Sequence, residues 1–314
     1  INSNLLDSDY FLHFLKAETT KKFYKSISKG TNVRRQKAEF CDFVKGKFLM
    51  PPLPEQKKIA EIISSIQRLI MKVKYQKIKN EYLKKSIINY FVKNGFYKNI
   101  QKIEEYPANW EITTLDQNLS LMTDFVANGS FKSLRENVKV YDSINFAYYV
   151  RLYDLRKGLG HSNQKYLDEK SFKFLKKSSL EIDDILIANI GANVGELFLV
   201  SSINFPASLA PNMIMMRCNN EINPKYLFYF LQSDVGQKLI RNAISGSGQP
   251  KLNKTDLKKV TTIIPPLREQ NLIVNSLSSI ENLIKKYANK LNNLEMLEQS
   301  ISKDLLSGKK RIKV

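Results

Sequence analysis

The sequence predicts an α+β fold in which globular mixed α/β structure is joined to two long coiled-coil helices. Three observations carry this expectation. A block of sequence recurs at a nearly constant offset. Each copy of the block runs into a long heptad series of apolar residues. The segment between the two series is broken into short apolar runs separated by glycine, proline and asparagine.

The repeat comes first. Pro51-Pro52-Leu53-Pro54-Glu55-Gln56 returns as Pro265-Pro266-Leu267-Arg268-Glu269-Gln270, 214 residues later. Upstream, Tyr10-Phe11-Leu12-His13-Phe14-Leu15 matches Tyr226-Leu227-Phe228-Tyr229-Phe230-Leu231 at an offset of 216, Gly30 matches Gly246 at the same offset, and Ile1-Asn2 echoes Ile222-Asn223. Residues 1–94 therefore resemble residues 222–308: a unit of about 214 residues is present once in full and once as its tail. The chain starts at Ile1 without a signal-peptide pattern, which reads as part of something longer.

Each Pro-Pro-Leu block predicts a helix start. Proline suits the first helical turn, where its missing N–H costs nothing, and Glu55 and Glu269 then fall at the positive end of the helix dipole. Behind Pro54 the apolar series is Ile59, Ile62, Ile66, Leu69 and Val73, then Gln76 and Asn80, then Leu83, Ile87 and Tyr90. Behind Arg268 it is Ile273, Leu277, Ile280, Ile284, Tyr287, Leu291, Leu294, Leu297, Ile301 and Leu305. Steps of three and four make a heptad seam, unbroken by proline or glycine until Gly95 and Gly308. Two helices of ~40 residues would each run ~60 Å. Their narrow stripes are most simply buried against each other, with Asn80 a register-setting polar residue; the alternative packs each helix on its neighbouring domain.

Between the helices, strands are expected at Phe146–Leu152, Asp184–Ala188, Leu197–Val200, Asn212–Arg217 and Val260–Ile264. A helix is expected across Pro224–Asn242, with Asn223 as its cap. Tyr106-Pro107-Ala108-Asn109-Trp110 reads as a turn opening this domain, with Trp110 a core anchor rather than a base-stacking residue. Gly191-Ala192-Asn193-Val194-Gly195-Glu196 has no following Lys-Ser/Thr, so it reads as a tight turn between strands and not a phosphate loop. Asp183-Asp184 reads as a polar turn rather than a metal-binding pair. There is no Asn/Asp-Pro-Pro-Tyr/Phe motif for methyl transfer to adenine, so no catalytic residue is assigned and no cofactor or metal is expected.

Lys and Arg number 50 against 30 Asp and Glu, a net charge of +20, which points to a polyanionic partner. Nucleic acid leads. An anionic membrane surface, or the Lys-, Asn- and Ile-rich bias of an AT-rich genome, would also produce this charge. Cys41 and Cys218 make no disulfide framework and read as small core residues in a reducing cytoplasm. With only His13 and His161, no metal-ligand cluster is visible, and no apolar run approaches the ~20 residues of a membrane span.

Taken in order, Trp110 behind its proline turn, Asp184-Ile185-Leu186 with Gly191 and Gly195, Ile222-Asn223-Pro224-Lys225-Tyr226-Leu227, Gly246-Ser247-Gly248-Gln249-Pro250-Lys251-Leu252 and the Pro-Pro-Leu-x-Glu-Gln helix start resemble the HsdS-type specificity subunits of type I restriction–modification systems. The resemblance covers nearly the whole chain. It departs at Asp183, where glycine is expected, and at Asn189, where arginine is commoner. It implies two target-recognition domains, each reading one half of a split DNA target. It also implies two antiparallel spacer helices that set the gap and dock adenine methyltransferase (M) subunits, which restriction/translocase (R) subunits join. On that pattern residues 1–53 are the C-terminal part of a first recognition domain and 54–94 the first spacer helix. Residues 95–105 are a linker, 106–267 a second, complete recognition domain, and 268–314 the second spacer helix and tail. Self-association through the spacer helices stays open. So do two other functions, the reader portion of a fused restriction–methyltransferase enzyme and a non-enzymatic coiled-coil scaffold.

Lys and Arg neutralise phosphates, while Arg, Asn, Gln and Lys read base edges. The candidates for double-stranded DNA contact are Lys132 and Arg135 beside a Gly129-Ser130 turn, and Arg156, Lys157, His161, Asn163, Gln164 and Lys165 around Gly158 and Gly160. Gln249, Lys251 and Asn253 follow the Gly246–Gly248 turn, and Arg34 and Arg35, with Lys29 and Lys37, form the matching basic loop of the partial copy. The loop Gly158–Lys165 is the leading base reader, because glycines allow close approach. Each of these side chains can equally be a solvated surface group.

Overall fold

A computed structural model of the chain describes residues 5–29, 37–94, 109–246 and 248–313. Ile1-Asn2, Gly30, Gly95, the linker at 95–105 and the Tyr106-Pro107-Ala108 turn lie outside them. The chain forms two compact units, Ile1–Tyr82 with Glu281–Val314, and Leu83–Ile280.

The first unit opens with α1 (Ser8–Lys16), capped by Asp7, whose carboxylate accepts from the Tyr10 amide at 2.9 Å. It continues through α2 (Glu18–Ile27), a short ribbon of β1 (Ser28–Lys29) and β2 (Lys37–Ala38), and α3 (Phe40–Val44). The helix α4 (Leu53–Asn94) follows, and at the other end of the chain α11 (Leu267–Leu306); each contributes to both units. Tyr10, Phe14, Ile59, Ala60, Ile63 and Leu306 form the first unit's core. Phe43, not Cys41, takes the inward face of α3, stacking on Tyr24 at 5.1 Å, so Cys41 is exposed and not the core residue expected. Within this unit the helices run antiparallel: Ile59 shares a cluster with Leu306, and eight residues further along α4 the Gln67 amide donates to the Glu298 carboxylate at 3.1 Å.

The seam differs from the strict heptad series. Leu69, Leu83, Tyr90 and Leu297 are exposed, while Ile63, Ile88 and Val92 are buried beside the expected positions Ile59 and Val73. A straight helix drifts by ~20° per heptad against a 3.5-residue repeat, so the inward stripe moves onto neighbouring positions. Asn80 donates back to the Gln76 carbonyl of its own helix at 2.7 Å, whereas Gln67 bonds across to Glu298.

The second unit holds two four-stranded sheets and a ribbon. Its elements after Trp110 are β3 (Glu111–Thr114), β4 (Leu119–Asp124), α5 (Phe131–Asn137), β5 (Val140–Tyr141), β6 (Ala147–Val150) and α6 (Leu152–Lys157). Then come β7 (Lys165–Leu167), α7 (Glu169–Phe174), β8 (Ile185–Ala188), β9 (Leu197–Leu199), β10 (Ala207–Leu209) and β11 (Met213–Cys218). The last are α8 (Pro224–Gln232), α9 (Asp234–Ala243), α10 (Lys254–Lys258) and β12 (Thr261–Ile264). One sheet has the order β4-β11-β8-β9, all antiparallel; the other is β10-β6-β7-β5, with β10 parallel to β6; β12 pairs β3. The strands expected from sequence each fall on one of these.

The apolar runs of β8 and β11 follow from burial on both faces. Ile185, Ile187, Ile214 and Met216 join the cluster that includes Ile88 and Val92 of α4, Ile273 and Leu277 of α11, and α8. Leu186, Met213 and Met215 join Val150, Val200 and Leu209 on the side of the second sheet. Asn223 caps α8 with Pro224 in its first turn, as expected. The single helix expected to Asn242 is two helices, because Ser233 adopts an extended backbone and its hydroxyl caps α9 by accepting from the Gly236 amide at 3.0 Å. Trp110 is the expected core anchor, buried with its indole N–H on Glu269 Oε2 at 3.0 Å.

The repeat is built from the same bonds twice. The buried Gln56 accepts from the Asp7 amide at 2.8 Å and donates to the Leu5 and Pro51 carbonyls. The buried Gln270 accepts from the Asn223 amide at 2.7 Å and donates to Glu221 and Pro265. Each glutamine ties a Pro-Pro helix start to the cap residue of an aromatic-rich helix. Truncating Gln270 strands the buried Pro265 carbonyl and two partly buried backbone groups, and a stranded buried group costs ~1–3 kcal/mol. Gln270→Ala is therefore expected to lower unfolding stability by about 3 kcal/mol, read as an earlier urea midpoint; an unchanged midpoint would show that water replaces the amide without cost.

Candidate nucleic-acid interface

Three glycine-bearing segments of the second unit meet through the turn between β8 and β9. Gly191 and Gly195 both have φ of 90°, and Gly195 N donates to the Ala188 carbonyl at 2.8 Å, so the segment is the tight turn expected. Gly191 N donates to the Pro250 carbonyl and Leu252 N to the Asn189 carbonyl, each at 2.9 Å. Ser245 and Lys251 exchange two backbone bonds, and Gly246 has φ 88°. On the other side, Arg156 of α6 forms a two-pronged ion pair with Glu196. The structure thus ties the Gly246–Asn253 segment and the α6–β7 segment to a common hub. The Asn189 side-chain oxygen inside this hub is buried without a hydrogen-bond partner among the described residues.

The α6–β7 loop is organised by Asp154, a fully buried carboxylate. It accepts from the Arg151 amide at 2.8 Å, from Arg151 Nε at 3.0 Å and Nη2 at 2.7 Å, and pairs with His161 Nε2 at 3.0 Å. Burial pushes this carboxyl upward, but the bonds from Arg151 and His161 outweigh it and hold the group below the ordinary aspartate value. His161 Nδ1 accepts from the Asn163 amide at 3.1 Å, which fits a ring carrying its proton on Nε2. Gln164 is buried, its oxygen accepting from Gly160 N and its amide donating to the Tyr149 and Lys165 carbonyls.

The candidates therefore divide. His161 and Gln164 have their polar atoms engaged inside the loop. Lys165 pairs with Asp142, and Arg156 with Glu196. Asn163 and Lys157 are exposed, as are Gln249 and Lys251; Asn253 is spent capping α10, its oxygen accepting from Asp256 N at 2.8 Å. Lys132 and Arg135 are exposed on α5, which packs through Leu134 with Ala147 and Leu167 on the opposite face of the second sheet. In the first unit Lys29 and Lys37 face each other across the β1–β2 ribbon, and Arg34 and Arg35 lie outside the described residues. Asp184 is a buried partner of Arg217, and Asp183 has φ 70°, the left-handed backbone that accounts for glycine being expected there. Among the described residues no group of His, Cys, Asp and Glu is placed to hold a metal, and no helix is long and apolar enough to cross a membrane. Residue-type reasoning passes over Arg151, Tyr153 and Asp154; their only sequence signal is an Arg-x-x-Asp spacing at a helix start.

The profile of the family described as "Type I restriction modification DNA specificity domain" matches residues 122–296, more than half of the chain. The chain belongs to this family. The match contains all three loop segments and every described candidate except those of the first unit. Across 327 aligned residues the chain is 26% identical to the type I restriction enzyme MjaVIII specificity subunit of Methanocaldococcus jannaschii, covering 99% of this chain and 72% of that protein. It is 25% identical over 311 residues to the StySPI specificity subunit of Salmonella potsdam, covering 94% of this chain and 64% of that one. The crystal structure of the type I restriction–modification S subunit from M. genitalium shares the fold with a TM-score of 0.58 at 14% identity, over 97% of this chain and 74% of that one. A specificity-domain match placed over the loop-bearing sheets assigns recognition, not catalysis, to this chain.

Proposed function

We propose that this chain supplies DNA sequence specificity to a type I restriction–modification system in the cytoplasm, reading a bipartite target and docking adenine methyltransferase subunits, which restriction/translocase subunits join. The observation that carries this is the family match over residues 122–296, which contains the loops that converge on the β8–β9 turn. The net charge of +20 suits the phosphate backbone. Relatives named as specificity subunits weigh against a fused enzyme or a bare scaffold. Residues 106–267 are the complete reader, residues 1–53 belong to the other, and the paired helices set the gap between half-sites. Asn163, Lys157, Gln249 and Lys251 are the base and phosphate contacts of choice, with Lys132 and Arg135 as a separate backbone contact. For subunit docking, Met71, Tyr75, Ile78 and Tyr82 are exposed at steps of four, three and four along α4. That places one apolar stripe among Lys72, Lys74 and Lys79, with the aromatic content typical of interfaces.

A genome-wide adenine-methylation map of the host with and without this gene tests the role. Loss of methylation at one gapped motif on deletion is expected. An unchanged map would sink the proposal.

A further inference from the structure

Beside the α6–β7 loop lies a cavity of about 490 Å³ lined by Asp142, Arg151, Tyr153, Ser162, Asn163 and Lys165. Arg151 is held at its wall. Its Nε and Nη2 are taken by Asp154, and Nη2 also donates to the Asn163 carbonyl at 2.8 Å. The guanidinium carbon lies 5.7 Å from the centroid of the Tyr153 ring, and that ring meets His161 edge-on at 5.2 Å. Nη1 is the guanidinium nitrogen left without a partner among the described residues, and the side chain remains 31% exposed.

A helix cap alone does not require this arrangement, because the Asp154 carboxylate already caps α6 through the Arg151 amide. What the side-chain bonds add is a donor fixed in position and recessed beside a flat aromatic wall. The two hydrogens of this one guanidinium nitrogen diverge by about 120°, so it makes one straight bond at a time and suits an edge that carries only acceptors. Guanine presents N7 and O6 in the major groove, whereas adenine sets a donor beside its N7, which an N–H repels.

We propose that Arg151, braced by Asp154 against the Tyr153 ring, is a guanine-reading residue of the complete recognition domain. The assignment rests on the DNA-specificity role and names one determinant within it. Lys165 lies on the same cavity, but its ammonium is occupied by Asp142.

The test is parallel selection from randomised duplex DNA by the full wild-type chain and by Arg151→Lys. Both are expected to enrich one motif that differs at a single guanine, where the variant's preference falls by ~10-fold or more. Loss of the brace can unfold the loop, so a second selection uses the wild-type chain on a pool made with 7-deazaguanine, which pairs normally but lacks N7. Discrimination at the same position is expected to fall. A guanine kept at full preference by both Arg151→Lys and the 7-deazaguanine pool, or a motif without guanine, overturns the assignment and leaves the specificity role standing. Failure of the wild-type chain to enrich any motif overturns both.

Discussion

Gly236→Ala is expected to lower the stability of the second unit by about 4 kcal/mol or more. A Cβ on Gly236 would stand 2.2 Å from the Phe230 carbonyl oxygen, 2.7 Å from Leu231 Cα and 2.9 Å from the Phe230 carbonyl carbon. All three are backbone atoms of α8, which cannot swing aside as a side-chain tip would. In an open helix the same change gains about 1 kcal/mol from helix propensity. Overpacking against fixed atoms usually costs ~1–3 kcal/mol, and a backbone clash belongs at or beyond the upper end of that range. The collision therefore wins. It falls where α8 passes into α9, and Tyr226 and Phe230 of α8 and Ile240 of α9 belong to the main core. A thermal melt decides: a lowered or lost transition is expected, and an unchanged or raised Tm would mean that the two helices separate freely at Ser233.

Asp184→Asn carries the second large effect, about 3 kcal/mol of lost stability. Asp184 is fully buried; it accepts from Arg217 Nε and Nη2, each at 2.8 Å, and from the Glu181 amide at 2.7 Å. Breaking a buried ion pair typically costs ~3–5 kcal/mol, because the remaining charge stays desolvated. The lower end applies here, since Arg217 is 25% exposed and keeps Glu181 as a second carboxylate. A double-mutant cycle by urea denaturation with Arg217→Met separates pairing from packing. The double variant is expected to lose clearly less than the two single variants combined. Simple additivity would show that the pair contributes nothing beyond its separate contacts.

These two sites mark where sequence reasoning stops. Asp183-Asp184 is legible as a polar turn, and the φ of Asp183 explains why glycine is expected before the aspartate. That Asp184 meets Arg217, 33 residues away across the β8–β11 ladder, depends on strand register, which the apolar runs of two short strands do not declare. Gly236 lies within a helical pattern and looks dispensable until Ser233 turns α8 back on α9. The DNA-contact candidates divide for a similar reason. Composition selects His161, Gln164, Asn163 and Lys157 alike, but the buried Asp154 draws in His161, and Gln164 fills the space beneath Gly160. Arg151 escapes notice because its surroundings come from residues 3 and 12 positions away, brought together by a bend in the loop.

By itself the sequence determined the repeat, the two long helices, the strands with strong apolar runs, the caps at Asn223 and the Pro-Pro starts, and the resemblance to specificity subunits. All are local or periodic features, set by backbone geometry and by burial along one element. Tertiary structure alone decided which positions of the helical seam are buried, because the 3.6-residue helix drifts from the heptad. It alone assigned Gln56 and Gln270 as the bolts of each repeat. It decided which polar side chains remain free to meet DNA, because hydrogen-bond partners distant in sequence are chosen by packing, and a buried donor or acceptor takes whichever partner the fold brings within reach.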